Sequence, residues 1–204
     1  MPFKKLDAII KQKLSELEFD APTPFQIKSI PVIKSGKNLF CTAPTNSGKT
    51  TGLILTTMQK LKCKEVGTAP RATVFVENNE KALELYNNFL KFTKSTSLRV
   101  YVCDEREHID LLKSEIFEGV DILITTPKTM NKLLLLEGVN TTQLKIVSFD
   151  DAEFLTNKSV IADVLSATQS IHKCQYIIYL EKMNVTIQNL ESYFMHYAGN
   201  VIVK

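Results

Sequence analysis

The chain lacks long apolar runs, paired cysteines and any marked excess of charge, and each absence removes a class of function. No apolar stretch approaches the roughly 18 residues that a membrane span needs; Leu133 to Leu136 is among the longest and is bounded by Lys132 and Glu137. The first residues, MPFKKLDAIIKQKL, are charged throughout and have no secretory apolar core, so they read as part of the fold and the expected location is cytoplasmic. Cys41, Cys63, Cys103 and Cys174 are widely scattered, with no CxxC or Cys/His ligand spacing. A disulfide framework or zinc site is therefore not expected, and the cysteines read as small hydrophobes. With 25 Lys and Arg against 22 Asp and Glu, the net charge is only +3. That permits a face that meets phosphates and does not demand one. No internal repeat, low-complexity tract or interdomain linker is visible, so the 204 residues are expected to form one domain, 1–204.

What is present is an alternation. Short runs rich in β-branched and aromatic residues, at 38–42, 73–76, 99–103, 121–125, 145–149, 176–180 and 201–203, read as strands. Several are almost continuously apolar, as parallel strands covered on both faces must be. Segments of helical period lie between them, at 49–60, 79–91, 129–137, 160–170 and 185–197. The pattern predicts an α/β fold, a doubly wound and mostly parallel sheet with helices on both faces. Residues 1–34 precede the first strand as an extension holding two amphipathic helices, broken at Pro22-Thr23-Pro24.

Between the first strand and the first long helix, residues 43–50 read Ala43-Pro44-Thr45-Asn46-Ser47-Gly48-Lys49-Thr50. A Gly-Lys-Thr entering a helix directly after a strand is the context of a P-loop. Backbone N–H groups of such a loop, with those opening the helix, surround the phosphates of ATP or ADP. Lys49 would pair with the β- and γ-phosphates, and the Thr50 hydroxyl would ligate Mg²⁺. The strict pattern opens with glycine where this chain has Ala43. Asn46 stands where glycine is common, and asparagine is the residue best able to replace it at positive φ.

Upstream, Phe19-Asp20-Ala21-Pro22-Thr23-Pro24-Phe25-Gln26 precedes Ile30-Pro31, a Gly36-Lys37 turn and the phosphate loop. Downstream, Asp150-Asp151-Ala152-Glu153 follows the strand at 145–149. In this order the segments resemble the Q motif, the first nucleotide motif and the Asp-Glu-Ala-Asp box of the DEAD-box RNA helicases, over essentially the whole chain. The resemblance implies a RecA-like P-loop domain in which Gln26 reads the adenine edge, one amide donor and one acceptor complementing N6 and N7. It implies that Phe3 stacks on the base; a staple at a helix start is the other reading of Phe3, and both stay open. It gives Asp150 the magnesium-linked place. Asp151 takes the place of the glutamate that orients the attacking water, one methylene shorter. Glu153 replaces the final aspartate, which couples to the next motif.

That next motif, Ser-Ala-Thr in the family, is represented by Glu181-Lys182-Met183; the literal Ser166-Ala167-Thr168 falls in a helical pattern and is a decoy. The family's RNA-gripping segments correspond to residues 77–82, with Asn78 and with Asn79 in place of an arginine, and to Thr126-Pro127-Lys128, where Thr-Pro is kept. A plain helix start is the other reading of Thr126 and Pro127. Asn78, Thr126, Pro127 and Lys128 are the candidate contacts to RNA. On the resemblance, a second RecA-like domain carrying arginine fingers lies outside this sequence, and the chain by itself is expected to bind ATP, to hydrolyse it weakly or not at all, and not to unwind a duplex. Two readings follow: a slow helicase ATPase domain, or a non-catalytic nucleotide-dependent module that presents an RNA or protein surface. A small-molecule P-loop kinase fits the fold, but not the adenine-reading segment upstream of the loop.

Overall fold

A computed structural model describes residues 2–204. Seven strands, β1 (Leu39–Thr42), β2 (Ala72–Phe75), β3 (Val100–Val102), β4 (Ile122–Thr125), β5 (Ile146–Phe149), β6 (Gln175–Leu180) and β7 (Gly199–Ile202), form one sheet in the order β3-β4-β2-β5-β6-β1-β7. Every pairing in it is parallel. The helices are α1 (Ala8–Glu16), α2 (Pro24–Lys34), α3 (Lys49–Leu61), α4 (Asn79–Thr93), α5 (Ile109–Glu118), α6 (Pro127–Leu135), α7 (Lys158–Gln169) and the short α8 (Val185–Gln188). This is the doubly wound α/β arrangement expected from the alternation.

Successive strand residues point to opposite faces, so one strand feeds two cores. Leu39, Val74, Ile122, Ile124, Ile177 and Tyr179 pack with Ile10 of α1, Phe25 and Ile30 of α2, Leu53 and Met58 of α3, and Phe89 of α4. Phe40, Phe75, Leu123, Val147, Phe149 and Ile178 pack on the other side with Leu112 and Ile116 of α5, Met130 of α6, Val164 of α7 and Ile187 of α8. Burial on both faces is why β2, β4, β5 and β6 are mostly apolar, each with one polar residue that is itself buried. Cys41, Cys63 and Cys103 are buried and Cys174 is half-buried, all as free thiols.

Two expectations need correction. The helix α5 was not among the expected elements: Ile109, Leu112 and Ile116 carry the helical period, but the charged run from Asp104 to Glu107 precedes them. The single helix expected at 185–197 is instead α8, a 3-10 turn Asn189–Ser192, and irregular chain up to β7. There Phe194 and Met195 are buried in the core, in irregular chain that follows the 3-10 turn.

The amino end of the sheet is held by a buried charge. Asp121 is fully buried at the start of β4, accepting from Arg71 Nε at 3.1 Å and Nη2 at 2.6 Å through Oδ1, and from Arg99 Nε at 2.9 Å through Oδ2. The backbone N–H groups of Val66 and Arg99 donate to it as well. Burial by itself raises the pKa of this carboxyl; hydrogen bonds from Arg99 and Arg71 more than offset it and leave Asp121 below the ordinary aspartate value.

Candidate functional site

The carboxyl ends of β1 and β5 bring the phosphate loop and the acidic motif together. Open α/β sheets bind ligands at these ends. Gly48 caps α3 with φ 88°, a left-handed conformation, and a Cβ there would lie 2.6 Å from Gln26 Nε2 and 3.1 Å from Thr23 Oγ1. Glycine is therefore required at position 48 both by its backbone conformation and by close packing. Asn46 takes φ 59°, the conformation for which asparagine is suited. Lys49 is buried and its ammonium donates to the carbonyls of Ala43 at 2.9 Å and Pro44 at 3.0 Å.

The Thr50 hydroxyl lies 3.3 Å from Asp150 Oδ1 and 3.4 Å from Oδ2, joining the first turn of α3 to the end of β5. Burial pushes the Asp150 carboxyl up to about 7, the neighbouring charge of Asp151 adds to this, and Thr50, Lys49 and Lys81 pull the other way. Asp151 is half-exposed in a left-handed conformation, φ 45° and ψ 59°, with Oδ2 3.9 Å from Lys81 Nζ.

A cleft of about 440 Å³ opens over this arrangement, lined by Thr45, Asn46, Gly48, Lys49, Thr50, Asp151, Gln26 and Thr23, with Phe19, Lys81 and Glu84 on its other walls. A larger hollow of about 550 Å³ lies at the amino end of the sheet, between the turn before β2 and the ends of α5 and α6. None of the residues of the phosphate loop, the upstream extension or the acidic motif lines it, and these gather at the smaller cleft.

The extension docks directly on the phosphate loop. Thr23 and Gln26 form a capping box on α2: Thr23 Oγ1 accepts from Gln26 N at 3.2 Å, and Gln26 Oε1 accepts from Thr23 N at 3.0 Å. The same side chains reach across. Thr23 Oγ1 donates to the Ser47 carbonyl at 2.6 Å, and Gln26 Nε2 donates to the Gly48 carbonyl at 3.2 Å. Gln26 is buried and keeps one amide hydrogen and one lone pair beyond these bonds. Phe3 packs against the core on the α2 side and is not among the cleft-lining residues, where Phe19 stands, its ring 5.9 Å from that of Phe92.

The acidic motif is tied to the end of β6 by different atoms from those the resemblance implies. Glu153 Oε1 accepts from the Glu181 N–H at 2.6 Å, and Glu181 Oε1 accepts from the Thr45 hydroxyl at 2.5 Å. Ser166-Ala167-Thr168 lies within α7.

The neighbouring strand ends, of β2, β4 and β3, carry the other candidate residues. Asn78 is exposed and caps α4, accepting from Lys81 N at 3.0 Å. Thr126 and Pro127 are buried: the Thr126 hydroxyl accepts from Thr129 N at 3.3 Å, and Pro127 fills the first helical position of α6. Lys128 is exposed beside them. Beyond β3, Arg106 is paired through Nε and Nη2, one edge of its guanidinium, with both carboxylate oxygens of Asp104, whose carboxyl it holds well below the usual range.

The model of the DEAD/DEAH box helicase family matches residues 23–181. The chain belongs to that family. Among curated relatives, this DEAD-box domain is 25% identical over 203 residues to the probable ATP-dependent RNA helicase ddx52 of Dictyostelium discoideum, covering 98% of this chain and 30% of that protein. It is 30% identical over 138 residues to the pre-mRNA-processing ATP-dependent RNA helicase PRP5 of Lodderomyces elongisporus, covering 66% of this chain and 14% of that protein. The chain therefore spans less than a third of the length of either relative. Its fold superposes on a DEAD box protein from the hyperthermophile Methanococcus jannaschii with a TM-score of 0.88 at 19% identity, over 96% of this chain and 53% of that one. The yeast DEAD-box splicing factor Prp28 gives a TM-score of 0.85, also at 19% identity, over 96% and 49%. No helix among the described residues of the DEAD-box domain is long and apolar enough to cross a membrane.

Thr23, Phe19, Lys81 and Glu84 line the cleft without having been singled out from sequence. The signal for Thr23 is present, since Thr-x-x-Gln before an apolar helix is a capping-box spacing. Lys81 and Glu84 carry no such signal; only the packing of α4 brings them to the cleft.

Proposed function

We propose that this DEAD-box domain binds ATP or ADP with Mg²⁺ in the cleft over Lys49 and Thr50, as the nucleotide-binding domain of an ATP-dependent RNA helicase that turns over slowly and does not unwind RNA by itself. The observation that carries the reading is the Thr50–Asp150 contact beside a loop whose Gly48 holds a left-handed conformation packed against Thr23 and Gln26. The donor set fits the group. Two hard oxygens, on Thr50 and Asp150, suit Mg²⁺, and no cluster of three metal-binding side chains occurs among the described residues. Such sites take their remaining ligands from phosphate oxygens and water. Magnesium in this place would neutralise phosphate charge.

The chain's own residues do the rest. Lys49 exchanges its loop carbonyls for phosphate oxygens, and the amides opening α3 add a favourable dipole end. Gln26 offers its remaining donor and acceptor to the base. Asp151 is the residue placed to orient water, with a shorter side chain than a glutamate. RNA, where it binds, would meet Lys128, Asn78 and the amino-terminal ends of α4 and α6, with Thr126 and Pro127 shaping the α6 end. The loss of arginine at Asn79 and the pairing of Arg106 with Asp104 favour weak binding. Compartment stays with the sequence-based expectation, cytoplasmic.

A non-catalytic module that holds nucleotide and presents a surface is the second reading. It is favoured by Glu181, whose carboxylate stands where the family has a serine hydroxyl. Titration of wild type and Lys49→Ala with ATP and Mg²⁺, measuring heat and phosphate release with and without single-stranded RNA, tests both. Binding that is lost in Lys49→Ala supports the site. Equal heats for the two proteins overturn it, and binding without phosphate release selects the second reading.

A further inference from the structure

We propose that Lys81 is a second phosphate-facing cation of the cleft, one that selects a triphosphate over a diphosphate. This rests on the nucleotide reading of the cleft and deepens it. Lys81 lies in the first turn of α4, on the wall that faces Lys49, Thr50 and Asp151. A cation there opposes the helix dipole, so helix stability does not explain its position.

Its present partners are loose. The ammonium is 3.4 Å from Glu84 Oε2 and 3.9 Å from Asp151 Oδ2, with 47% of the side chain exposed. Exposed pairs of this kind contribute little, so giving one up for another anion is easy. The neighbours make the exchange worthwhile. Glu84 and Asp151 line the cleft and Asp150 adjoins it, whereas the cations among the lining residues are Lys49 and Lys81. A nucleotide carrying several negative charges enters against three carboxylates, and Lys49 together with a Mg²⁺ ion still leaves an excess of negative charge for a second side-chain cation to meet. Lys49 and Lys81 both line the cleft, with Thr50 and Asp151 among the residues they share it with. Lys49 is anchored in the loop, close to the carbonyls of Ala43 and Pro44. Lys81 stands beside Asp151, the residue assigned to the water that attacks the terminal phosphate. The terminal phosphate is the group a diphosphate lacks.

The test is calorimetric titration of wild type, Lys81→Met and Lys81→Arg with ATP and, separately, ADP, each with Mg²⁺. Lys81→Met is expected to weaken ATP by about tenfold and ADP by about twofold or less, the loss of one charge-assisted contact. Lys81→Arg is expected to keep most of the preference, since it keeps the charge. Melting temperatures within about 2 °C of wild type are expected, because an exposed side chain is being changed. An unchanged ratio of ATP to ADP affinity in Lys81→Met overturns the proposal while leaving the nucleotide site standing, and so does an equal loss for both nucleotides. A wild type that binds neither nucleotide overturns the nucleotide reading and the Lys81 proposal together.

Discussion

Glu153 accepts a hydrogen bond at 2.6 Å from the backbone N–H of Glu181, 28 residues along the chain. Because Glu181 also accepts from the Thr45 hydroxyl, the acidic motif, the end of β6 and the phosphate loop form one chain of contacts. The family joins these motifs through an aspartate and a serine-threonine pair. Here two glutamates do it, one through its carboxylate and a backbone amide, the other through its carboxylate and a hydroxyl. Glu153→Ala should remove the first link and lower the melting temperature by about 2–4 °C, the effect of one charge-assisted hydrogen bond in a domain of this size. Glu153→Gln, which keeps an acceptor oxygen, should recover more than half of that. Thermal melts monitored by circular dichroism in the absence of nucleotide would show it. Identical melts for wild type and Glu153→Ala would mean the contact is not maintained in solution.

Gln26 has two tasks, and they can be separated. Its Oε1 closes the capping box on Thr23 and its Nε2 holds the Gly48 carbonyl. Gln26→Ala should cost about 1–2 kcal/mol of stability before any nucleotide is added, from the lost cap and the exposed loop carbonyl. Gln26→Glu keeps the acceptor for Thr23 but sets a carboxylate against the Gly48 carbonyl, where a donor is needed. It should be more stable than Gln26→Ala at helix α2 and yet bind ATP at least as poorly. Urea denaturation gives the first quantity and ATP titration the second. A Gln26→Ala protein as stable as wild type would show that the side chain serves the ligand alone.

Much of this was legible because the physics is local. A strand of Leu39, Phe40 and Cys41 running into Gly-Lys-Thr leaves few alternatives for residues 43–50, and Asn46 at positive φ follows from its side chain. The sheet was readable because strands buried on both faces carry mostly apolar runs. Helix α5 was not, since its three inward residues follow a charged run that reads as loop. The 185–197 segment failed for the opposite reason: its period continues past the point where Phe194 and Met195 are pulled into the core. At the site, Thr23 was encoded in a capping-box spacing. Lys81 fell within a segment whose resemblance is to an RNA-gripping one and Glu84 within no motif, because their place at the cleft depends on how α4 crosses the sheet.

Asp121 should make the fold sensitive to acid. Its carboxyl is held below the ordinary value when folded, chiefly by Arg99 and Arg71 acting against burial. A group whose folded value is lowered stabilises the fold fully above its unfolded value, about 3.9, and loses that contribution as the pH falls through the folded value. Wild type should therefore lose stability more steeply below about pH 4 than Asp121→Asn does. At neutral pH, Asp121→Asn should be destabilised by about 3–5 kcal/mol, because buried Arg71 is left without its counter-charge. Urea titrations of both proteins between about pH 3 and pH 7 measure the two slopes. Parallel slopes would show that Asp121 ionises as freely in the folded chain as in the unfolded one.

The last prediction concerns turnover. Asp151 sits in a left-handed turn two residues past the end of β5, next to Asp150, whose backbone N–H donates to the Phe75 carbonyl at 3.0 Å, and this tether opposes a backbone shift that would make up for a short side chain. A glutamate would carry the carboxylate more than about 1 Å further, and misplacement of that order costs about a hundredfold in rate. Glutamate is less at ease than aspartate in this conformation, so Asp151→Glu should be slightly less stable than wild type. It should nonetheless release phosphate between about ten and a hundred times faster in a single turnover, once RNA and a second RecA-like domain are supplied in trans. Asp151→Asn should give no gain. If Asp151→Glu binds ATP as wild type does and is no faster, the obstacle is not the reach of the carboxylate. It would then lie with Glu181, whose bond to Thr45 fixes the loop where the family has a hydroxyl, and Glu181→Ser in the Asp151→Glu background becomes the variant expected to recover the rate.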